Sequence, residues 1–259
     1  MMIFDTHAHY DDDRFAPDRG ELLSGMNENG IGRIINVGAS FEGCKNSLAL
    51  AQEHDFIYAA LGVHPSDIAD LTEESCEWIR QHLSDPKVVA VGEIGLDYYW
   101  DKEPEVQARQ REWFRYQLQL AKESALPVSI HSREAAADTM EIMKEAAADG
   151  IPGVIHCYSY SKEQALEYVD MGYYIGVGGV VTFKNARKLK ETVEAIPLER
   201  ILLETDCPYM APEPNRGKRN SSLYLTYVAD AIAGLKGVTP EEVKTVTYEN
   251  ALRLFTKVR

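Results

Sequence analysis

The sequence predicts an α/β protein of the (β/α)₈ TIM-barrel class, and three observations point to it. Short apolar or β-branched runs alternate with longer helical patterns along the whole chain. Eight such runs occur, which is the number of strands in this barrel. The 259 residues match the roughly 250 typical of the fold, so we predict a single domain over residues 1–259. A doubly wound open sheet is the alternative, because alternation alone does not show that a sheet closes.

The predicted strands are short and several are continuously apolar, as expected for parallel strands that are buried on both faces. Val88–Val91 and Ile201–Leu203 are the clearest of these runs. In chain order the predicted strands are Met2–Thr6, Arg33–Val37, Ile57–Val63, Val88–Gly92, Pro127–Ile130, Gly153–Ile155, Tyr173–Val177 and Arg200–Leu203.

Start and stop signals delimit helices between these strands. A helical pattern over Glu105–Glu123 ends before Pro127, because proline cannot continue a helix. A second pattern covers Ser132–Ala148, and a third runs from a capping residue at Ser161 to Gly172. Thr239 followed by a proline and two acids predicts the start of the last helix.

Composition and charge restrict the classes of function. Apolar residues make up 45% and charged residues 26%, a balance that excludes a disordered chain. The formal net charge of −14 argues against nonspecific coating of nucleic acid, which needs Lys and Arg to displace counterions. A nucleic-acid enzyme remains compatible with this charge, since bound divalent metals supply positive charge locally.

Three features of the sequence predict a cytoplasmic protein. No apolar run approaches the roughly 20 residues that span a bilayer, so no membrane association is expected. The first residues reach an acid at Asp5 without a basic region before it, so we expect no secretory signal. The cysteines include no CxxC pair and are expected to be reduced thiols; they are Cys44, Cys76, Cys157 and Cys207.

Histidines concentrate where a barrel enzyme places its chemistry. Five of the seven lie at the carboxyl end of a predicted strand, the rim at which side chains from different strands converge. His54 and His82 fall in or near helices and are expected to have packing or surface roles. The five rim histidines are His7, His9, His64, His131 and His156.

Two carboxylates complete a candidate metal site. His7 and His9 are two apart, so in an extended segment both reach the same metal. Glu93 ends a buried strand, where a carboxylate needs a partner or a metal, and its two oxygens can reach two cations. Asp206 follows the last strand and can ligate a metal and accept a proton from water.

Two further acidic residues, Asp97 and Glu204, each fit two roles. Asp97 fits a turn cap or an outer partner of the site. Glu204 fits either an inward position or an ion pair with a helix. Neither is assigned as a metal ligand from the sequence.

The number of ligands suits two metals better than one. Imidazole with carboxylate is typical of Zn, Mn, Fe, Ni or Co sites, and Mg suits sites where carboxylates and waters dominate. Besides His64, the rim offers four imidazoles and two carboxylates; these six ligands exceed the needs of one tetrahedral zinc, whereas two metals roughly 3.5–4 Å apart would use them all. Competing sites are not indicated, because the sequence has no GxGxxG after a strand, no P-loop and no GxSxG elbow.

Cations and aromatic residues near the predicted rim are candidate substrate contacts. The irregular stretch 209–222 contains Arg216, Lys218 and Arg219 on an otherwise acidic protein. These side chains suit phosphate binding, although a solvated basic turn would look the same. Arg133 adds a cation close to His131.

Three aromatic residues directly follow the strand that carries Glu93. They are Tyr98, Tyr99 and Trp100. They offer stacking faces for unpaired bases, and a lid packed against the barrel is an equally good interpretation.

Six ordered motifs identify a family resemblance across essentially the whole chain. They are FDTHAHYD at 4–11, GVHP at 62–65, GEIGLDYY at 92–99, PVSIHSREA at 127–135, GVIHCYS at 153–159 and LLETDCPYMAPEPNRGKRN at 202–220. With these motifs the chain resembles TatD-type metal-dependent hydrolases, a family of TatD-like deoxyribonucleases in the amidohydrolase-like superfamily. The chain departs from the common pattern after His156, where it reads Cys-Tyr-Ser-Tyr, and at Ser221-Ser222, where an acid and a proline are usual.

The resemblance implies a barrel, a divalent metal site and a hydrolase. Family members are described as Mg- or Mn-dependent DNases, including 3′→5′ exonucleases, and some are linked to aminoacyl esters on tRNA. Glu93 would bridge the metals, and His64 would contact phosphate or donate a proton. By matching position, the implied metal ligands are His7, His9, Glu93, His131, His156 and Asp206.

The resulting hypothesis is hydrolysis of a phosphodiester at a DNA end or on single-stranded DNA, by water activated on two divalent metals. Asp206, His64 and Glu93 are the predicted catalytic residues, with Asp206 taking the proton of the water. Mg or Mn are expected in function. One metal would be held by His7, His9, Glu93 and Asp206, and the other by Glu93, His131 and His156. Predicted substrate contacts are Arg216, Lys218, Arg133 and Tyr98.

Two other functions are considered for the same residues. The first is hydrolysis of a non-phosphodiester bond, such as an aminoacyl ester, a lactone or an amide, because metal-activated water serves all of these. The second is a metal-bearing interaction module without catalysis, which a full ligand set with an open water position argues against. No obligate protein partner is inferred.

Overall fold

Eight strands alternate with helices in a computed structural model that describes residues 1–258. The strands form one sheet of parallel strands in the order β1 to β8. This order and alternation are those of the predicted (β/α)₈ class. The strands are β1 Ile3–Ala8, β2 Ile31–Val37, β3 Ile57–Leu61, β4 Val88–Asp97, β5 Val128–Arg133, β6 Gly153–Ile155, β7 Tyr174–Val177 and β8 Ile201–Leu203.

The helices lie between the strands and after the last one. Within residues 1–258, no helix combines the length and apolar character that crossing a membrane requires. The α-helices are α1 Arg19–Ser24, α2 Phe41–Glu53, α3 Glu73–His82, α4 Pro104–Ser124, α5 Ala136–Ala148, α6 Lys162–Asp170, α7 Arg187–Ala195, α8 Leu225–Lys236 and α9 Pro240–Leu254.

The chain divides into two compact units by the density of contacts within each. The first unit comprises Met1–Asn36, Cys157–Asp170 and Tyr174–Arg253. The second comprises Val37–His156, Met171–Tyr173 and the residues from Leu254 onward. The single domain over residues 1–259 stays a prediction.

In the first unit, buried strands pack against apolar helix faces. All six residues of β1 are buried, and β7 pairs in parallel with β8. Helix α8 buries residues at three- and four-residue steps, as an amphipathic helix does. It ends at Gly237, whose left-handed φ of 68° is the usual conformation of a helix-terminating glycine. The predicted start of α9 is confirmed, because Thr239 Oγ1 accepts a hydrogen bond from the amide of Glu242 at 3.1 Å.

In the second unit, two strands extend further than predicted. Strand β4 continues past Gly92 to Asp97, and all ten of its residues are buried. The prediction ended it at Gly92. Here glycine permits close packing: Gly95 pairs with His131 of β5 and has a φ of 147°. Glu93 therefore lies inside β4.

The prediction for the fifth strand and the following helix was also wrong at their junction. Residues Ser132 and Arg133 belong to β5, which pairs with β4 up to Arg133, and α5 begins only at Ala136. The helical pattern predicted from Ser132 started too early, because pairing with the unexpectedly long β4 keeps this segment extended. His131 therefore lies inside β5 as well.

Two buried glutamines attach α4 to the loop after β3 and to the last residue of β4. The amide of Gln117 both donates to the carbonyl of Val63, at 3.0 Å, and accepts from its N–H, at 2.8 Å. Gln110 makes the same pair of bonds with the backbone of Asp97, at 3.1 and 3.0 Å. Helix α4 thus fixes the backbone next to His64 and at the end of β4.

Candidate metal centre

In the second unit, three imidazoles surround one carboxylate oxygen. Glu93 is 5% exposed, and its Oε1 lies 2.8 Å from His131 Nδ1. The Nε2 atoms of His156 and His64 lie 3.8 and 4.0 Å from the same oxygen. The structure therefore brings together four of the residues that the sequence singled out. Imidazole nitrogens around a buried carboxylate are a set of ligands that fits a divalent cation chemically.

Asp97 holds the ring of His131 from the opposite side. Its Oδ2 lies 3.0 Å from His131 Nε2, so Nδ1 is the ring nitrogen that faces Glu93. Burial disfavours ionisation of Asp97, but the hydrogen bond from His131 and two backbone amides keep its pKa below the usual value. A carboxylate on the second nitrogen of a ligating histidine is the common outer partner in metal sites.

Burial disfavours protonation of His131, but its hydrogen bonds to Asp97 and Glu93 raise its pKa above the usual value. His64, Asp97 and His131 also each offer one ligand atom within 4.8 Å of the others. The centre of the second unit therefore combines two carboxylates with imidazole nitrogens, the ligand types of many divalent cation sites.

His64 has one ring nitrogen directed at Glu93. Its Nδ1 accepts a hydrogen bond from the backbone N–H of Ser66 at 3.1 Å. In the neutral ring the proton is then on Nε2, the atom that faces Glu93. His64 also packs against His131, with ring centroids 4.2 Å apart. A donating Nε2–H suits the predicted contact with a phosphoryl oxygen.

In the first unit, two more histidines and an aspartate lie together. His7 is fully buried in β1, and its Nε2 lies 3.1 Å from Nε2 of His9. His9 Nε2 is also 3.4 Å from Asp206 Oδ1. Asp206 has a left-handed φ of 55°, and its N–H donates to the carbonyl of His7 at 2.9 Å. Two imidazole nitrogens aimed at one point beside a carboxylate fit a divalent cation.

The structure adds Asp5, a residue of β1 to which the sequence assigned no role. Asp5 is fully buried in β1, and burial raises its pKa to about 7. Its Oδ2 accepts hydrogen bonds from the hydroxyls of Thr205, at 2.7 Å, and Ser222, at 2.6 Å. Its Oδ1 accepts from the backbone N–H of His7 and Thr205. Asp5 thereby joins β1 to the loop after β8, next to His7 and Asp206.

Replacing Ser222 with alanine is expected to destabilise the fold by about 1–3 kcal/mol. The hydroxyl of Ser222 is buried between Asp5 Oδ2 and the hydroxyl of Tyr10, 2.8 Å away, so its loss leaves a buried carboxylate without one donor. Urea denaturation measures the free energy of unfolding. Ser221→Ala is the matched control, because it removes a neighbouring hydroxyl that does not contact Asp5. Equal unfolding free energies for the two variants would contradict this role.

Glu204, whose position the sequence left open, is a buried residue directly after β8. It is 1% exposed, and its Oε1 accepts a hydrogen bond from the backbone N–H of Cys157 at 2.5 Å. A side chain at Gly176 would collide with the Glu204 carboxylate, which would then have to move. Glu204 thus fixes the backbone at Cys157.

The cations of the loop after β8 divide into two kinds. Arg219 forms a two-pronged ion pair with Asp18, at 2.7 and 2.6 Å, and so anchors the loop. Arg216 and Lys218 are exposed. Arg216 lies over the ring of Phe183, 4.3 Å from its centroid, and Lys218 donates to Asn215 at 3.3 Å. These two keep their charged ends at the surface, where a phosphate can reach them.

The aromatic residues after β4 also differ from one another. The hydroxyl of Tyr98 donates to Asp138 at 2.7 Å and accepts from Arg111 at 2.9 Å. Burial, with the Asp138 carboxylate, raises the pKa of Tyr98 to about 12. Tyr98 therefore joins the turn after β4 to α4 and α5. Tyr99 and Trp100, which the sequence offered as stacking faces, are exposed.

Comparisons with known proteins find relatives that match almost the whole chain. The family model described as TatD related DNase matches residues 4–256. The uncharacterized metal-dependent hydrolase YabD of Bacillus subtilis is 47% identical over 254 residues, which cover 98% of this chain and 99% of the relative. The 3'-5' ssDNA/RNA exonuclease TatD of Cronobacter sakazakii is 32% identical over 262 residues, with 98% of each protein covered.

A solved structure agrees over the same length. The crystal structure of YJJV, a TatD homolog from Escherichia coli K12, is 35% identical and superposes with a TM-score of 0.91 over 98% of both chains. This likeness confirms the (β/α)₈ barrel class.

Proposed function

Because the chain belongs to the TatD-related DNase family, whose members are metal-dependent hydrolases, we propose that it removes nucleotides from the 3′ end of single-stranded DNA by hydrolysing phosphodiester bonds. The observation that carries the proposal is the convergence of His64, His131 and His156 on one oxygen of Glu93. The relative from Cronobacter sakazakii, named as a 3'-5' ssDNA/RNA exonuclease, supports the polarity and the single-stranded substrate.

We propose two divalent ions per chain, with Mg or Mn as the functional metals. When bound, such ions favour hydroxide formation at neutral pH and offset negative charge on the phosphoryl group. The donor chemistry of both units supports this, since each combines imidazole nitrogens with a carboxylate. The proposed ligands are His7, His9, Glu93, His131, His156 and Asp206, with Glu93 shared between the ions as the resemblance implies.

The side chains of the site have separate tasks in this reaction. Asp206 orients the attacking water and accepts its proton as a general base. His64 donates from Nε2 to a phosphoryl oxygen, which stabilises charge that develops in the transition state. Asp97 acts through His131, whose ring it holds in one orientation.

Surface cations guide the substrate to the site. We propose that Arg216 and Lys218 bind phosphates of the strand, and that Arg133 binds another near the end of β5. The contact of Tyr98 with substrate stays a prediction, and its hydroxyl already bonds Asp138 and Arg111.

The charge of the protein favours a short or single-stranded substrate. A net charge of −14 leaves no broad basic track for a long duplex, whose binding depends on displaced counterions. A strand end held by metals and a few cations requires much less positive surface. We therefore expect poor activity on internal sites of intact duplex.

Elemental analysis and a labelled strand test the proposal together. We expect close to two metal ions per chain. We also expect stepwise, metal-dependent shortening of single-stranded DNA that carries its label at the 5′ end. A circular single strand is the control, because it has no end and should stay intact. Cleavage of the circle would contradict end-dependent action. If metal is bound but both DNAs stay intact, the proposed nuclease activity is wrong. Ester substrates such as aminoacyl-tRNA would then be tested.

A further inference from the structure

An exposed group of two aromatic rings and one cation lies at the carboxyl ends of strands β4 and β5. We call Tyr99, Trp100 and Arg133 the aromatic platform. Tyr99 is 42% exposed and Trp100 is 66% exposed, so most of the indole ring is open to solvent. Large exposed aromatic rings that adjoin one another commonly mark a binding surface.

The members of the platform contact one another in a defined geometry. The guanidinium carbon of Arg133 lies 3.8 Å from the ring centroid of Tyr99 and 5.5 Å from that of Trp100. The two rings meet edge to face, with centroids 4.6 Å apart and an interplanar angle of 86°. Contacts of this kind hold each ring in place while Trp100 stays 66% exposed.

The platform is attached to the candidate metal centre through Asp97. Asp97 Oδ1 accepts hydrogen bonds from the backbone N–H of Tyr99 at 2.9 Å and of Trp100 at 3.4 Å, while Oδ2 bonds His131. The carbonyl of Arg133 in turn accepts from the N–H of Tyr98 at 2.9 Å. One buried carboxylate therefore fixes both the platform and the histidine of the site.

We propose that Trp100, supported by Tyr99 and Arg133, stacks an unpaired base close to the scissile phosphate, and so selects single-stranded ends. This inference rests on the proposed function. An aromatic face stacks on every base, which gives binding without sequence preference. In a duplex both faces of an internal base are covered by its neighbours, so the platform would gain little from it.

Charge as well as exposure favours a nucleic-acid strand as the ligand of the platform. Arg133 places a cation beside exposed rings on a protein whose net charge is −14. A cation next to stacking faces complements a strand that alternates bases with phosphates. A lid packed on the barrel, the other interpretation of these residues, would bury the rings and would not need the cation.

Binding of a short, fluorescently labelled oligothymidylate without added metal tests the platform apart from catalysis. We expect Trp100→Ala to raise the dissociation constant from fluorescence anisotropy by about tenfold, which is the loss of one stacked base. Trp100→Phe, which keeps an aromatic face, should recover most of this affinity. Tyr227→Ala is the matched control, since it removes another exposed aromatic ring, on α8. Equal affinities for wild type and Trp100→Ala would overturn the proposal.

Hydrolysis of a strand that lacks one base near its 3′ end provides the second measurement. Trp100→Ala should lower kcat/KM for the intact strand by about tenfold and have little effect on the abasic strand, because the lost contact is already absent there. An equal loss on both strands would overturn the stacking role. Failure of wild type to cut either strand would contradict the proposed function alone, and the binding measurement would still decide the platform.

Discussion

Replacing Asp206 with asparagine is expected to lower kcat for phosphodiester cleavage by about 10²- to 10⁴-fold, the usual contribution of a general base. Asparagine keeps the size and an oxygen ligand but cannot accept the proton of the attacking water. Asp206 lies 3.4 Å from His9, and its backbone donates to His7, contacts that an amide can largely preserve. The substitution therefore separates proton transfer from folding.

Single-turnover cleavage of single-stranded DNA at saturating metal is the measurement for Asp206→Asn. Metal content and thermal unfolding should stay close to wild type. Asp230→Asn is the control, because it removes a carboxylate exposed on α8. Turnover by Asp206→Asn within a few fold of wild type would exclude Asp206 as the general base.

Replacing Glu93 with glutamine is expected to lower metal affinity by more than about 100-fold, because it alters a proposed metal ligand. Loss of a residue that only hydrogen-bonds a metal ligand lowers the affinity by roughly 10- to 100-fold. Glu93 is the carboxylate around which three imidazoles converge, so the substitution removes the negative charge at the centre of the second unit. A metal that binds only the folded state stabilises it by about 2.7 kcal/mol at 100 times its dissociation constant. Mn should therefore raise the Tm of wild type but have little effect on Glu93→Gln.

Thermal unfolding with increasing Mn gives this result without any nuclease substrate. Glu141→Gln is the matched control, since Glu141 is exposed on α5 of the same unit. An equal rise in Tm for wild type and Glu93→Gln would show that Glu93 does not bind the metal. In that case the cation would have to be held by other side chains.

The fold was predictable from the sequence because apolar runs reflect burial directly. Strands buried on both faces read as continuous apolar segments, and β6 has the predicted bounds, Gly153–Ile155. The ends of β4 and β5 were not predictable. Gly92 and Gly95 interrupt the apolar run, and only the pairing of β4 with β5 up to Asp97 and Arg133 shows that the strand continues through them.

The candidate site was predictable where residue type and strand position coincide. Histidines after successive parallel strands must lie at one edge of the sheet, which is why His64, His131 and His156 were singled out together. The partners that orient them were harder to assign. Asp97 fits a turn cap in the sequence, and it is one, yet its second oxygen also holds His131.

The sequence by itself determined the barrel class, the family and the residue types available to a metal, because each depends on local pattern or on contiguous motifs. Only the tertiary structure decided which polar side chains face one another. Asp5 and Ser222 are 217 residues apart and share a buried hydrogen bond, and of the near neighbours Tyr98 and Trp100 only Trp100 is exposed. Such relations depend on chain packing across long separations, and no short segment carries that information.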